Sequence, residues 1–348
     1  VQKLSKTPSL TGALLLAAVA TLAASYRSSA HASSQATESQ NSVPVLGKIG
    51  QFITDAPDSA LNPFGRQWRD VRNKTYQLGD DWGKKAVTDD VLNYETPQFR
   101  RAAKATARTG GATGFFLGEF GGSLVIATNH HVFPEARSCL QETIRFPLLK
   151  INATCTRYLG TWESVDLSLF VVELQRPEQR EALLAVGSNF DFASPITQAQ
   201  ELLTIGFGIA NNPQQQLVAN RDGDCKVFSP NQSFKLMPDP DALNPGTYDA
   251  WSFANGCDVS HGDSGSAMVD RKTGRPIGLI WTGKIPKNPK VQESQYLNEI
   301  LQNQSPEIWT ELSYAVPAAK IRDVLEAASK DSSTDSQDRK IFAALIAN

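Results

Sequence analysis

Gly256 to Ser266 reads Gly-Cys-Asp-Val-Ser-His-Gly-Asp-Ser-Gly-Ser. Ser264 stands between an acid and a glycine, and the glycines around it let the backbone approach a carbonyl and turn N–H groups toward it. Such a serine suits nucleophilic attack if a base can take its proton. Gly, Asp and Ser also make ordinary turns, so the string needs partners elsewhere in the chain. The histidines are four: His31, His130, His131 and His261. None follows Ser264, which excludes the serine–acid–histidine order of α/β-hydrolases, and Ser266 stands where their Gly-x-Ser-x-Gly elbow has its last glycine. His261 lies too near the serine in the chain to serve as its base. His130 and His131 close the apolar run Leu124–Ala127 through Thr128-Asn129, a rigid place from which an imidazole can reach a cleft. Between them and the serine, Asp166 precedes the largely apolar run Leu167–Val172, with Glu163 as the rival acid. An acid at the mouth of a buried strand can accept an imidazole N–H, fix its tautomer and stabilise the imidazolium. The order is histidine, acid, serine, and the chemistry it would serve is acyl transfer through a covalent serine ester.

These elements resemble those of the trypsin-like serine proteases. Ala127-Thr128-Asn129-His130-His131-Val132 is similar to the histidine strand end of that family, above all to the Thr-Asn-x-His-Val of its bacterial secreted branches. Val165-Asp166-Leu167-Ser168-Leu169 is similar to its Asp-Leu-Ala-Leu element, and Gly262-Asp263-Ser264-Gly265 to its nucleophile loop. Cys257-Asp258 resembles the glutamyl-endopeptidase-like branch, whose upstream partner cysteine would be met here by Cys225. Pro276–Gly283 resembles the strand lining the primary pocket, and Tyr314-Ala315-Val316-Pro317 with the helix after it resembles the end of such domains. The likeness spans residues 102–330.

The resemblance implies an all-β fold of two packed antiparallel six-stranded β-barrels, chymotrypsin-like, with a C-terminal α-helix and the site between the barrels. It implies His131 as base with His130 a neighbour, Asp166 as its partner and Ser264 as nucleophile. The oxyanion would form against the N–H groups of Gly262 and Ser264. Asp258 would sit as a pocket carboxylate favouring Arg or Lys, and His261 would rim the cleft. Ile280 stands where glutamyl endopeptidases carry a histidine, which opposes specificity for Glu, and Gly283 would keep the pocket entrance open. Substrates would be polypeptides, and neither a metal nor an organic cofactor is needed. The non-enzymatic alternative is a protease-fold binding protein without activity. A periplasmic chaperone-protease would need a C-terminal peptide-binding domain, for which few residues follow 330.

Two departures from the family stand out. The Ile-Val-Gly-Gly start is missing, yet Asp263, which would receive the released N-terminal amine, is present. The expectation is that Asp263 pairs with an arginine or with an N-terminus released near Arg101. Trp281 replaces the serine that often hydrogen-bonds the catalytic Asp.

The remaining composition is that of an ordinary globular chain. Of 348 residues, 41% are hydrophobic and 20% charged, and a net charge of −2 gives no electrostatic reason to expect nucleic-acid binding. Residues 1–32 read as a signal peptide: Lys3 and Lys6 precede the apolar run Ala13–Ala24, and Ala30-His31-Ala32 offers the cleavage pattern. That run falls short of the about 20 residues a membrane-spanning helix needs, so no stable membrane insertion is expected after cleavage. A secreted or periplasmic location follows. Cys139, Cys155, Cys225 and Cys257 are an even set with three possible connectivities, and the nearest-neighbour pairs, Cys139–Cys155 and Cys225–Cys257, are expected. No Cys-x-x-Cys supports zinc.

The elements that must position the site follow from patterning. Ser33–Asn41 reads as a flexible leader, and residues 33–101 as a propeptide or N-terminal extension, partly packed through Trp68, Tyr76 and Trp82 and ending at Arg100-Arg101. Strands are expected at 113–118, 123–128, 167–174, 201–209, 266–270, 276–282 and 312–316. After Pro317, Ala318, Ile321, Val324, Leu325 and Ala328 keep helical spacing. Residues 284–311 read as a surface loop, and 331–348 as a tail with a final helical turn at Ile341–Ile346.

Overall fold

The structure, a computed structural model, describes residues 76–140, 142–240 and 246–347. The signal peptide, the leader and Trp68 lie outside the described residues. All described residues fall in one compact unit, Ala56–Asn348.

Along the chain come strand β1 (Lys84–Ala86), helices α1 (Asp89–Asn93) and α2 (Pro97–Ala105), then β2 (Thr106–Thr109), β3 (Ala112–Phe120) and β4 (Ser123–Thr128). Helix α3 (Ala136–Leu140) precedes β5 (Thr143–Phe146), β6 (Ile151–Trp162) and β7 (Leu167–Leu174). After α4 (Arg180–Leu184) come β8 (Leu202–Gly206), β9 (Val218–Asn220), β10 (Lys235–Pro238) and β11 (Asp249–Asn255). The chain continues through β12 (Ala267–Asp270), β13 (Pro276–Thr282), α5 (Ser294–Gln302) and β14 (Ser313–Pro317) to α6 (Ala318–Lys330) and α7 (Ser336–Ala347).

Strands β2 to β7 close an antiparallel barrel in the order β2-β3-β4-β7-β6-β5. Its filling comes from Phe116, Ile126, Ile144, Phe146, Phe170 and Val172. The start of β6 alternates buried and exposed residues, as a strand with one face on a core must. Strands β4 and β7 are buried almost throughout, because their outer faces also carry packing. The all-β fold read from the sequence holds, with one of the two expected six-stranded barrels closed and the other present as a second sheet. The second sheet has eight strands where six were expected, in the order β1-β9-β8-β12-β13-β14-β11-β10. Its outermost strands are β1, from the N-terminal extension, and β10.

The extension is built into this sheet. Lys84, Lys85 and Ala86 pair antiparallel with Asn220, Ala219 and Val218. Thr96 caps α2 by accepting the Phe99 N–H at 3.2 Å, and Pro97 opens the first turn, where its missing N–H costs nothing. Phe99 and Ala103 then pack with Val87 and Leu92 against Leu203, Ile205, Phe207 and Leu217. Arg100-Arg101 consequently lies within a helix.

Two expectations near the C-terminus are corrected. Residues 284–311 are more than a surface loop, since they form α5 and bury Val291, Leu297, Ile300 and Ile308 in the main core. Residues 331–348 hold a helix of 12 residues rather than one turn, with Ile341, Phe342 and Leu345 buried and Phe342 edge-on to Trp162 at 5.6 Å. Helix α6 follows the sequence reading, burying Ile321 and Leu325. Both expected disulfides are present, Cys139–Cys155 and Cys225–Cys257, closing separations of 16 and 32 residues. Loop closures of this size stabilise by about 3 kcal/mol each. Among the described residues no helix is long and apolar enough to cross a membrane.

Candidate active site

Strand β4 ends at Thr128, and the chain then turns so that Asn129, His130 and His131 present their side chains beside the start of β7. Asp166 occupies that start in a left-handed conformation (φ 37) and is fully buried. Its backbone carbonyl accepts from the Asn129 side chain at 2.8 Å. Its carboxylate takes three donors: the His131 N–H at 3.0 Å and the Tyr248 hydroxyl at 2.7 Å on Oδ1, and His131 Nδ1 at 2.8 Å on Oδ2. A carboxylate accepts, so Nδ1 carries the proton and Nε2 keeps its lone pair, the tautomer a base requires. Burial pulls the His131 pKa down, but attraction to Asp166, the hydrogen bond between them and the more distant Asp239 outweigh it and hold it above 6.5. The imidazole is still 39% exposed.

His130 faces elsewhere. Its Nδ1 meets Thr161 Oγ1 at 2.7 Å, its Nε2 lies 3.8 Å from Glu163, and its ring packs edge-on to Tyr248 at 5.1 Å. The rival base and the rival acid of the sequence reading thus pair with each other.

The serine loop is fixed from both sides. Thr113 on β3 donates its N–H to the Ser264 carbonyl at 3.0 Å and its hydroxyl to the Gly262 carbonyl at 2.6 Å. Gly265 N–H donates to Ile280, and Ile280 N–H to Ser266. Gly262 and Gly265 have φ of 92 and 84, in the region that favours glycine. A Cβ on Gly265 would lie 2.0 Å from the Thr113 carbonyl oxygen and 2.5 Å from Thr128 Oγ1. Only glycine lets the loop seat against the end of β4, and that seat brings half-buried Ser264 to the strand end that carries His131. Among the described residues, nothing accepts the N–H of Gly262 or Ser264. No hydrogen bond joins His131 to Ser264 among the described residues, and such bonds often form only when substrate arrives.

The pocket residues read from the sequence are placed differently. Asp258 is fully buried and accepts the Leu78 N–H at 2.8 Å on one oxygen and the Gly83 N–H at 2.7 Å on the other, so it faces the extension's backbone rather than an open pocket. Burial pushes its carboxyl up to about 7, against the pull of those two donors. Ile280 points into a core with Phe253, Cys257, Val259 and Met268, so its side chain does not line a pocket. Gly283 lies where a Cβ would meet the Val259 carbonyl oxygen at 2.8 Å. His261 is exposed and edge-on to Tyr76 at 6.2 Å, a rim position. Trp281 is buried and donates to Ser252 at 2.9 Å.

Three residues escaped the sequence reading. Tyr248 supplies the hydroxyl to Asp166 that the serine replaced by Trp281 would have given. Asp239 accepts from Thr282 at 2.6 Å, next to Gly283. Lys84 forms a buried ion pair with Asp263, where an arginine or a released N-terminus was expected. None carries a motif, and Lys84 stands beside a second lysine in a strand of three residues.

No protein-family model and no curated protein matches this sequence. Solved structures similar to the chain include proteases. The Rv3671c protease of M. tuberculosis in its active form is 17% identical over 70% of this chain and 87% of its own, with a TM-score of 0.41. Its inactive form is 17% identical over 70% of this chain and 97% of its own, with a TM-score of 0.42. The serine endoprotease of Yersinia pestis is 14% identical over 70% of this chain and 67% of its own, at 0.41. What the site can do follows from its own geometry.

Proposed function

We propose that the chain is a serine endopeptidase that hydrolyses polypeptides through an acyl-enzyme. The observation that carries this reading is the two-point hold of Asp166 on His131, through backbone N–H and Nδ1, beside a serine loop that only glycine can seat. Ser264 Oγ attacks the scissile carbonyl carbon while His131 Nε2 takes its proton, and Asp166 stabilises the imidazolium. The oxygen left negative is held by the N–H groups of Gly262 and Ser264, each such donor contributing about 3–4 kcal/mol at the transition state. His131 then gives its proton to the leaving amine, the C–N bond breaks, and the Ser264 ester remains. Water, losing a proton to His131, attacks the ester, and Ser264 leaves with that proton. Each step needs only the protein's own groups and water.

Two disulfides suit an oxidising compartment, which supports a secreted or periplasmic enzyme. For side-chain preference, Asp258 has both oxygens occupied. Asp239, which accepts from Thr282 and from the Gly246 N–H at 3.3 Å, is only half-buried and lies close enough to His131 to raise its pKa, and that position supports cleavage after Arg or Lys.

The test is labelling of the full chain by a fluorophosphonate. Stoichiometric labelling that is absent in Ser264→Ala supports the reading. A parent protein that is not labelled makes the chain a protease-fold binding protein instead.

A further inference from the structure

Residues 78–86 touch the stretch leading into Ser264 at two points. Leu78 and Gly83 donate their N–H groups to Asp258, just after Cys257. One residue past Gly83, the Lys84 ammonium sits on Asp263 Oδ2, the side chains being 2% and 1% exposed. The pair lies in a built chamber. Asp263 also accepts the Gly208 N–H at 3.1 Å and the Ser260 N–H at 2.8 Å. A Cβ on Gly208 would fall 2.3 Å from the Lys84 ammonium, and one on Gly206 would fall 3.0 Å from Asp263 Oδ1. Two glycines therefore leave the room that the ion pair fills.

The pair bears directly on the reacting centre. Asp263 lies between Gly262 and Ser264, the residues whose N–H groups point to no internal acceptor. A buried carboxylate that loses its cation is costly, by several kcal/mol in general, and turns outward to find water. Turning Asp263 outward rotates the peptide groups on either side of it: the one after it carries the Ser264 N–H, and the one before it is joined directly to Gly262, so both donors lose their setting. The lysine is held independently of the loop. Its strand pairs with β9, Val87 N–H donates to Leu217 at 2.8 Å, and Gly79 N–H donates to Val291 at 2.9 Å. The Arg100-Arg101 pair, where cutting would free this stretch, is wound into α2, with Arg100 donating to the Glu95 carbonyl at 2.7 Å.

We propose that Lys84 is a positioning residue for the nucleophile loop: its ammonium on Asp263 holds the Gly262 and Ser264 donors in working geometry. The chain carries its own activating cation, and cleavage at Arg100-Arg101 that released residues 78–86 would silence the enzyme rather than switch it on. This rests on the serine endopeptidase reading above.

The experiment compares fluorophosphonate labelling rates of the full-length parent, Lys84→Ala and Lys84→Met, each corrected for folded fraction by thermal melting. A parent that is not labelled sinks the endopeptidase reading itself. With a labelled parent, the expected result is a fall of about 100-fold per folded molecule in both variants, the scale of losing an oxyanion donor. In Lys84→Ala, propylammonium chloride restores labelling and 1-propanol does not, because the vacated chamber needs a cation. Lys84→Met keeps most of the length of the side chain without its charge and covers the case in which the alanine variant does not fold. Labelling of Lys84→Met within threefold of the parent overturns the proposal. So does a loss of labelling that merely equals the loss of folded protein, which is what a purely structural ion pair would give.

Discussion

The hydroxyl of Tyr248 donates to Oδ1 of Asp166 at 2.7 Å across 82 residues of sequence. Burial and the neighbouring Asp166 keep the phenol neutral, so it acts as a donor throughout the physiological range. It shares Oδ1 with the His131 backbone N–H and leaves Oδ2 to the imidazole. Removing the hydroxyl makes the carboxylate a stronger base, which tightens its hold on the His131 proton. Tyr248→Phe should therefore lower kcat on the order of 10-fold, the worth of one hydrogen bond to a charged group. KM should not change, and the acid limb of the pH–rate profile should move to higher pH. An unchanged limb would show that the hydroxyl only packs.

His131 titrates above 6.5 because of Asp166, although burial alone would pull it down. Its base function needs the neutral imidazole, so activity rises as pH climbs through that raised pKa. In Asp166→Asn that attraction is gone and only the more distant Asp239 opposes burial, so the His131 pKa falls and the acid limb moves down. The amide also no longer selects the Nδ1–H tautomer, and kcat falls by about 10⁴-fold. NMR titration of the His131 ring in both proteins checks the sign independently of rate.

The reach of the sequence has a physical boundary at this site. His131, Asp166 and Ser264 are legible because each sits in a local string that chemistry constrains: a strand end, a strand mouth and a glycine-flanked loop. Tyr248 lies before β11 in a stretch of glycine, proline and aspartate, where a tyrosine carries no signal of what it will meet. Lys84 belongs to a strand of three residues, too short for any periodicity to declare itself. Helix α5 and the start of α7, before the helical turn expected at Ile341–Ile346, were missed for a related reason. The buried Leu297 and Ile300 are few and set among polar residues, and Ser336–Lys340 is polar throughout. Asp258 was misread because its position suited a pocket. Nothing in its own neighbourhood shows that backbone from the extension will fill that pocket's floor.

Asp239 and Asp258 make opposite predictions for specificity. Asp239 lies at the end of β13 through Thr282, whereas Asp258 is sealed by Leu78 and Gly83. Asp239→Asn should lower the ratio of kcat/KM for peptides with Arg over Leu before the scissile bond, by about tenfold, equivalent to ~1.4 kcal/mol. Asp258→Asn should leave that ratio where it is, since its carboxylate does not meet substrate. A matched peptide series, read as ratios so that folding losses cancel, separates the two. A ratio that moves with Asp258 alone would restore the pocket carboxylate of the sequence reading.

Stability and activity should come apart at Phe342 and Gly265. Phe342 is buried against Trp162, far along the chain from the serine loop, and its truncation to alanine leaves a cavity that costs about 3–5 kcal/mol. For a fold of this size that is a drop of roughly 10 °C in Tm. The labelling rate of Ser264 at 25 °C should stay near that of the parent, because Phe342 meets the site only through Trp162 and the core around Leu167, while Asp166 keeps its three donors. Gly265→Ala meets a different obstacle. Its Cβ would stand 2.0 Å from the Thr113 carbonyl oxygen at a φ of 84, so the loop must lift from β3 and from Thr128. Lifting it breaks the Thr113 hydrogen bond to Ser264 and carries the serine away from His131. The rest of both sheets is untouched by that movement. Gly265→Ala should then abolish labelling while the melt remains cooperative, the reverse of the Phe342→Ala result. Melting curves and labelling rates measured side by side on the two proteins decide it.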